Sequence, residues 1–245
     1  MKKILVVGET CTDVFMYCES DRLAPDIPVP VLKVKEKKTM LGMAANVKRN
    51  IKSLGMDCDS IESGGRMRKT RYVHDKTNHM FFRVDEADSV PRGNAYQIAK
   101  QAQDYDILVI SDYDKGFLTG EDISYLADEH DCVFLDTKKI LHRHWAEKVA
   151  YIKINDYEYN RSHQAICHEA VRNKVIRTLG EDGCEFQGVR YPVDKVEVRD
   201  VSGAGDTFLA GLVAKYAETE NIEFSIKFAN QCASEVVKHR GVTVV

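Results

Sequence analysis

Hydrophobic and polar positions change period several times along the chain, and each change marks an element. Ile4 to Val7 is an unbroken apolar run closed by Gly8, as expected of a central strand in a parallel sheet. Asp13 follows on a connection, where chain leaving such a strand meets ligand. Residues 29–34 have strand composition, and the prolines at their start confine that strand to an edge. Leu41 to Asn46 open a helix that runs to Leu54 and stops at Gly55, with Val47, Ile51 and Leu54 as its apolar stripe. Asn46, taken locally, reads as a solvated polar residue of that helix. Residues 56–68 read as a short glycine-containing connection. Thr70 to His74 and Met80 to Asp85 flank a polar turn and predict a hairpin.

From Asn94 the rhythm is regular. A helix to about Gln103, a strand at 107–111, a helix at 121–128, a strand at 133–136, a helix at 142–149, a strand at 151–154, a helix at 164–172 and a strand at 175–179 follow in turn. This alternation predicts an α/β fold of three αβα layers with a mostly parallel central sheet. Residues 185–186 and 189–192 form a small hairpin around Gly188, helices follow at 206–218 and 222–238, and the apolar run 242–245 reads as an added edge strand. The hairpin at 70–85 and the strand at 29–34 do not belong to a βαβ series and predict a small sheet beside the main one, either a β lid that would keep water from a reacting centre or a peripheral, dimer-forming sheet. No linker or repeat divides the chain. The expectation is one domain over 1–245, with lid strands from about 10–37 and 69–86.

Charge narrows the partners. The chain has 35 Lys plus Arg against 38 Asp plus Glu, a net charge of -3, and no basic stripe interleaved with aromatics. Neither nucleic acid nor a membrane surface is an expected partner. The basic run Arg66-Met67-Arg68-Lys69 remains a local contact for a small ligand. Seven cysteines, scattered singly without paired metal spacing, read as reduced thiols of a cytoplasmic protein. The apolar start is too short for a signal core or a membrane span.

The chemistry concentrates at Asp200-Val201-Ser202-Gly203-Ala204-Gly205-Asp206-Thr207-Phe208. Two glycines in a tight turn at a helix start present backbone N–H groups to an anion. Asp206 is unhelpful for holding phosphate but suits removal of a proton from a hydroxyl being phosphorylated. An ordinary loop with a first-turn aspartate is the alternative. Polar residues also gather at the ends of the parallel strands, among them Asp112, Lys115, Asp136, Lys138, Asn155, Glu158 and Thr178, the edge where open α/β sheets bind ligand. Neither G-x-G-x-x-G after the first strand nor G-x-x-x-x-G-K-[ST] is present, which disfavours a classical dinucleotide site and a Walker loop.

Over nearly its whole length the sequence resembles the ribokinase-like, PfkB-type sugar kinases. Val201 to Phe208 resembles their C-terminal signature, and Gly42-Met43-Ala44-Ala45-Asn46 their N-terminal Gly-Gly-x-x-x-Asn signature. The branch most similar is the heptose 7-phosphate kinases, through Pro28-Val29-Pro30-Val31, Lys69-Thr70-Arg71, Arg83-Val84-Asp85-Glu86 and Ser111-Asp112-Tyr113-Asp114-Lys115-Gly116. The resemblance implies transfer of phosphate from ATP, with Mg²⁺, to a sugar or sugar-phosphate hydroxyl. It makes Asp206 the base and the N–H groups of Ala204, Gly205 and Asp206, with Gly203, the anion hole. Asn155 and Glu158 match the Asn-x-x-Glu motif that organises Mg²⁺ through water. Asp13, Gly42 and Asn46 match sugar-binding positions, and Lys69, Arg71, Arg83, Asp112 and Lys115 are candidates for a phosphorylated acceptor. Lys153, Thr178, Gly180, Gly183, Asn230 and Gly241 fall on nucleotide-binding segments. A homodimer through the lid is also implied.

Two departures bear on the acceptor. Met43 stands where the family has its second glycine, and the connection between Gly55 and Lys69 is about one strand–helix unit shorter than usual. A different sugar or a nucleoside as acceptor, and a binding or regulatory protein of the same fold, stay open at this stage.

Overall fold

The structure, a computed structural model, describes residues 2–64 and 67–245; Arg66, the first residue of the basic run, lies outside the described residues. In chain order the strands are β1 (Lys3–Gly8), β2 (Thr10–Glu19), β3 (Lys33–Met43), β4 (Asp57–Glu62), β5 (Arg68–His74), β6 (Met80–Glu86), β7 (Ile107–Asp112), β8 (Val133–Thr137), β9 (Tyr151–Asn155), β10 (Val175–Thr178), β11 (Cys184–Phe186) and β12 (Val189–Tyr191). The helices are α1 (Ala44–Ser53), α2 (Ala95–Ala102), α3 (Gly120–Glu129), α4 (Arg143–Ala146), α5 (Asp156–Arg161), α6 (His163–Ile166), α7 (Glu169–Arg172), α8 (Ala204–Thr219) and α9 (Ile222–Val236).

Eight strands form the main sheet in the order β12-β11-β10-β9-β8-β7-β1-β4. From β10 to β4 all neighbours are parallel, and β11 and β12 add antiparallel at one end. The apolar runs of β1 and β7 are unbroken because both faces are covered. Ile4, Val6, Ile107 and Val109 pack against α1, α8 and α9, while Leu5, Val7, Leu108 and Ile110 pack against α2, α3 and α4. Helix α8 is buried for most of its circumference, and its N-terminus is thereby fixed at the C-terminal edge of the sheet.

The second sheet has four strands in the order β3-β2-β5-β6. Its two faces differ by the period-2 rule. Asp13, Phe15 and Tyr17 on β2 share one face with Lys69, Arg71 and Val73 on β5, and the apolar members of that face pack on Val242 of the C-terminal turn. The opposite face carries Tyr72, Phe82 and Val84, with Phe82 and Val84 exposed and Phe82 stacked on Tyr72 at 4.6 Å between centroids.

Several elements depart from the sequence-based expectation. Strand β2 occupies the stretch read as a connection, because its inward side chains mix acid with aromatics and hide the alternation. The strand expected at 29–34 lies instead at 33–43, so Leu41 to Met43 finish β3 and the helix begins only at Ala44. Strand β4 lies within the 56–68 connection as an edge strand, polar because only one side is paired. The helix expected at 142–149 shrinks to α4, and that at 164–172 divides into α6 and α7. Residues 242–245 form no strand. Val242 is an apolar plug beneath the small sheet, and the Val245 N–H donates to Asn50 Oδ1 at 3.2 Å.

Candidate active site

The turn before α8 is built for a close approach. Gly203 caps the helix in the left-handed region at φ 81°, and a Cβ there would lie 2.9 Å from Asn46 Nδ2. The Ala204 N–H donates to Val201 O at 3.2 Å and the Thr207 N–H to Gly203 O at 2.9 Å. Ala204 is therefore committed to the turn, and the expected three-donor anion hole reduces to Gly205 and Asp206, whose N–H groups lie in the unpaired first turn. The positive end of the α8 dipole and the buried Lys153 ammonium, 3.0 Å from a Cβ built on Gly205, converge on the same point.

Asp206 itself is nearly inaccessible. Its Oδ2 accepts from Asn46 Nδ2 at 3.1 Å, and its Oδ1 accepts from the Tyr113 hydroxyl at 2.5 Å. Burial pushes the carboxyl up to about 6, against the lowering effect of those two hydrogen bonds. At neutral pH the group is thus ionised yet close enough to its titration range to accept a proton. Asn46, which the helix pattern placed in solvent, is fully buried, because α1 packs against α8 and turns its polar residue toward Asp206.

Charged side chains form a ring around this point. Lys153 pairs with Asp136 at 2.7 Å, and both are buried. Lys138 lies 2.5 Å from Glu158 and 3.9 Å from Asp136, and although burial works against its charge, the two carboxylates raise its pKa. The cleft in front of them, about 760 Å³, is walled by Tyr113, Lys138, Lys153, Asn155, Arg177 and Asp206. It runs into a more apolar cavity of about 600 Å³ lined by Thr178, Gly183, Val196, Phe208, Asn230 and Val237. A polar cleft with convergent cations opening into an apolar slot has the chemistry to hold a polyphosphate attached to a flat base.

The small sheet supplies the third wall. Asp13 is ion-paired with Arg71, both largely buried, and the guanidinium lies 5.1 Å from the centroid of the Phe15 ring. Gly42 is held against this pair, since a Cβ there would fall 2.0 Å from Asp13 Oδ2. Lys69 Nζ stands 5.3 Å from the Tyr113 ring centroid.

Two comparisons decide the family. The sequence pattern of "pfkB family carbohydrate kinase" matches residues 68–245. The chain belongs to the pfkB family of carbohydrate kinases. Members of this family are carbohydrate kinases. It is 32% identical over 295 aligned positions to the "Bifunctional protein HldE" of Helicobacter pylori strain J99, covering 98% of this chain and 64% of that protein. The HldE of a Nitratiruptor species is 27% identical over 96% of this chain and 61% of its own length. The chain thus spans less than two thirds of these curated relatives. Among solved structures, the ribokinase of Thermotoga maritima shares the fold at a TM-score of 0.73 and 16% identity, covering 99% of this chain and 95% of that one. Phosphofructokinase-2 of Escherichia coli does so at 0.73 and 14%, over 100% and 95%.

Not every pfkB position expected from the sequence reaches the cleft. Arg83 shares the inner face of the small sheet but sits on its outermost strand, tied to Asp85 at 2.7 and 2.9 Å and half exposed. Lys115 turns its ammonium to Asp88 at 2.6 Å. Asp112 is fully buried and consumed by Lys139 and Thr137, so it braces the chain rather than meeting ligand. Gly241, expected near the nucleotide base, lies under the small sheet with its N–H donated to Asp200 Oδ2 at 3.0 Å, and a Cβ there would meet Met40. Gly180 (φ 62°) and Gly183 (φ 84°) line the apolar cavity, and Asn230 does so while donating to Tyr191 O.

Asn155 and Glu158 form a capping box at the start of α5. Asn155 Oδ1 accepts from the Glu158 N–H at 2.9 Å, and Glu158 Oε2 accepts from the Asn155 N–H at 2.8 Å. Glu158 Oε1 takes Asn155 Nδ2 and Lys138. Among the described residues no group of three His, Cys, Asp or Glu side chains could hold a metal. Mg²⁺ takes one or two carboxylates and completes its shell with substrate phosphates and water. This donor set therefore fits an ion arriving with the nucleotide, near Asn155 and Glu158, and does not fit a resident one. Tyr113 and Glu9 were missed as site residues. The only sequence signal for Tyr113 was its place inside the Ser111–Gly116 motif.

Proposed function

We propose that the chain transfers the γ-phosphoryl group of Mg–ATP to a hydroxyl of a sugar phosphate of the heptose 7-phosphate type. The observation that carries the transfer is Asp206, a buried carboxylate beside the free N–H groups of Gly205 and Asp206 and in hydrogen-bond contact with Asn46 from the acceptor side. The likeness of 98% of the chain to HldE proteins supports the acceptor class. In this reading ATP spans the two connected cavities, with its base against Gly183 and Asn230 and its phosphates against Lys138, Lys153 and the α8 N-terminus. When bound, Mg²⁺ near Asn155 and Glu158 supplies positive charge to the phosphate oxygens. Asp13 and Asn46 orient the sugar, Arg71 and Lys69 face its phosphate, and Asp206 takes the proton of the attacking hydroxyl.

The small sheet acts as a lid over the acceptor and, through its outer face, as the contact of a homodimer. One domain over 1–245 and a cytoplasmic setting complete the reading. All seven cysteines are free, as a reducing compartment would leave them, and among the described residues no helix is long and apolar enough to cross a membrane. The test is ADP release from Mg–ATP with a panel of heptose, fructose and ribose phosphates, their free sugars and nucleosides. Heptose 7-phosphate should give the highest kcat/KM. A higher value for another acceptor would transfer the assignment to that compound, and no stimulation by any would leave a binding role.

A further inference from the structure

The base has a second hydrogen-bond partner that none of the ligand assignments uses. Glu9, immediately after β1, is completely buried, and its carboxylate accepts three backbone N–H groups of one loop. These are Tyr113 at 2.7 Å, Lys115 at 3.0 Å and Phe117 at 3.2 Å. The same loop is fixed from its other side by the Val90 N–H on Lys115 O at 2.9 Å, and it turns through left-handed residues at Asp114 (φ 57°) and Gly116 (φ 102°). So many constraints on five residues present one side chain with little freedom. That side chain is Tyr113, packed against the Cys11, Met43 and Met67 cluster, with Lys69 and Lys138 ammoniums 5.3 and 5.4 Å from its ring centroid. Its hydroxyl ends 2.5 Å from Asp206 Oδ1.

We infer that Tyr113 is a positioning residue of the transfer reaction: its hydroxyl aims the Asp206 carboxylate at the phosphate cleft and stabilises its negative charge. A carboxylate with one oxygen on Asn46 and the other on Tyr113 has a single orientation, with its remaining lone pairs free for the acceptor hydroxyl. The donated hydrogen bond favours the ionised form and so opposes the burial of the group. Other groups face Asp206 as well. The Asp136 carboxylate comes from β8, the Lys138 ammonium from just beyond it, the Lys153 ammonium from β9 and the Cys11 thiol from β2. Asp136 and Lys153 act in opposite directions on the Asp206 proton, which leaves the Tyr113 bond as an adjustable contribution.

This inference rests on Asp206 as the base, and its first test needs no acceptor. The full chain, labelled with ¹³C at aspartate carboxyls, is titrated by NMR, with Asp206 assigned through Asp206→Asn. In wild type the midpoint should lie near 6. Tyr113→Phe, which keeps the ring, should move it upward. Replacing Tyr113 by 3,5-difluorotyrosine, a stronger donor of the same shape, should move it downward. A midpoint unmoved in both variants would overturn the inference. In turnover with Mg–ATP and heptose 7-phosphate, Tyr113→Phe should lower kcat roughly tenfold with little change in the KM for ATP. The acid limb of its pH profile should shift with the NMR midpoint. A Tyr113→Phe enzyme with wild-type kcat, beside a Tyr113→Leu enzyme that has lost it, would reduce Tyr113 to packing. An inert heptose phosphate would sink the acceptor assignment alone and leave the titration readable.

Discussion

Asp206 sets activity against stability in one side chain. Its carboxyl is raised by burial from 3.8 to about 6, so between those values the folded state binds more protons than the unfolded state. Stability therefore falls as pH rises through that window and is level above it. Asp206→Asn removes the titration. Its stability relative to wild type should increase from about pH 4 to about pH 6 and then stay constant, as measured by urea unfolding at a series of pH values. The same variant should lose roughly 10²–10⁴-fold in kcat, with nucleotide affinity nearly unchanged. Near-wild-type turnover would remove the base assignment. Asn46 shows why such a site is only half legible in a sequence. Its helix stripe says that it is polar and off the apolar face, which is true. That the off-face direction meets the Asp206 carboxylate of another helix, 160 residues away, depends on α1 packing against α8.

At the scale of single elements, the junction of β3 and α1 explains a family glycine and its replacement here. Met43 has φ 59° and ψ -136°, a conformation that costs an L-residue about 1–3 kcal/mol. Its side chain is buried with Cys11 and Met67, and this contact offsets the strain. Trimming it to alanine loses the contact and keeps the strain, whereas trimming to glycine loses the contact and relieves it. Met43→Gly should therefore be more stable than Met43→Ala by roughly 1 kcal/mol or more, the reverse of the usual order of these residues. Thermal and urea midpoints of the two variants decide this, and alanine as the more stable would show that the turn relaxes to accept a side chain. In the sequence Met43 reads as an intruder, but the hydrophobic pattern starts the helix at Leu41 and so hides the positive φ that makes the intrusion costly. The βα series was legible because its strands are buried on both faces and repeat. Strands β2 and β4 were not, one because it carries site residues among its apolar ones, the other because it is an edge.

For the whole molecule, the open question is how a shortened chain keeps its acceptor wall. The alignment with the HldE relative extends over 295 positions, more than the 245 residues here, so the relatives carry segments without a counterpart in this chain. Strand β4 is nevertheless present at the edge of the main sheet, and the chain passes from it to β5 of the small sheet within a few residues. The small sheet packs its inner face on Val242, and the Asp13–Arg71 pair over Gly42 braces strands β2, β3 and β5 from within. Its outer face exposes Phe82 and Val84 along a single strand, an apolar stripe that a second copy would cover. If dimerisation steadies the sheet, its loss must reach the acceptor wall, because Lys69 and Arg71 alternate with Thr70 and Tyr72 along the same strand. Light scattering should give a dimer mass for wild type and a monomer mass for Phe82→Asp. That variant should raise the acceptor KM several-fold and leave the KM for ATP unchanged, since the apolar cavity proposed for the nucleotide is lined from the main sheet and the α8–α9 side. A monomeric Phe82→Asp enzyme with unaltered acceptor KM would show that the inner face alone holds the wall in place.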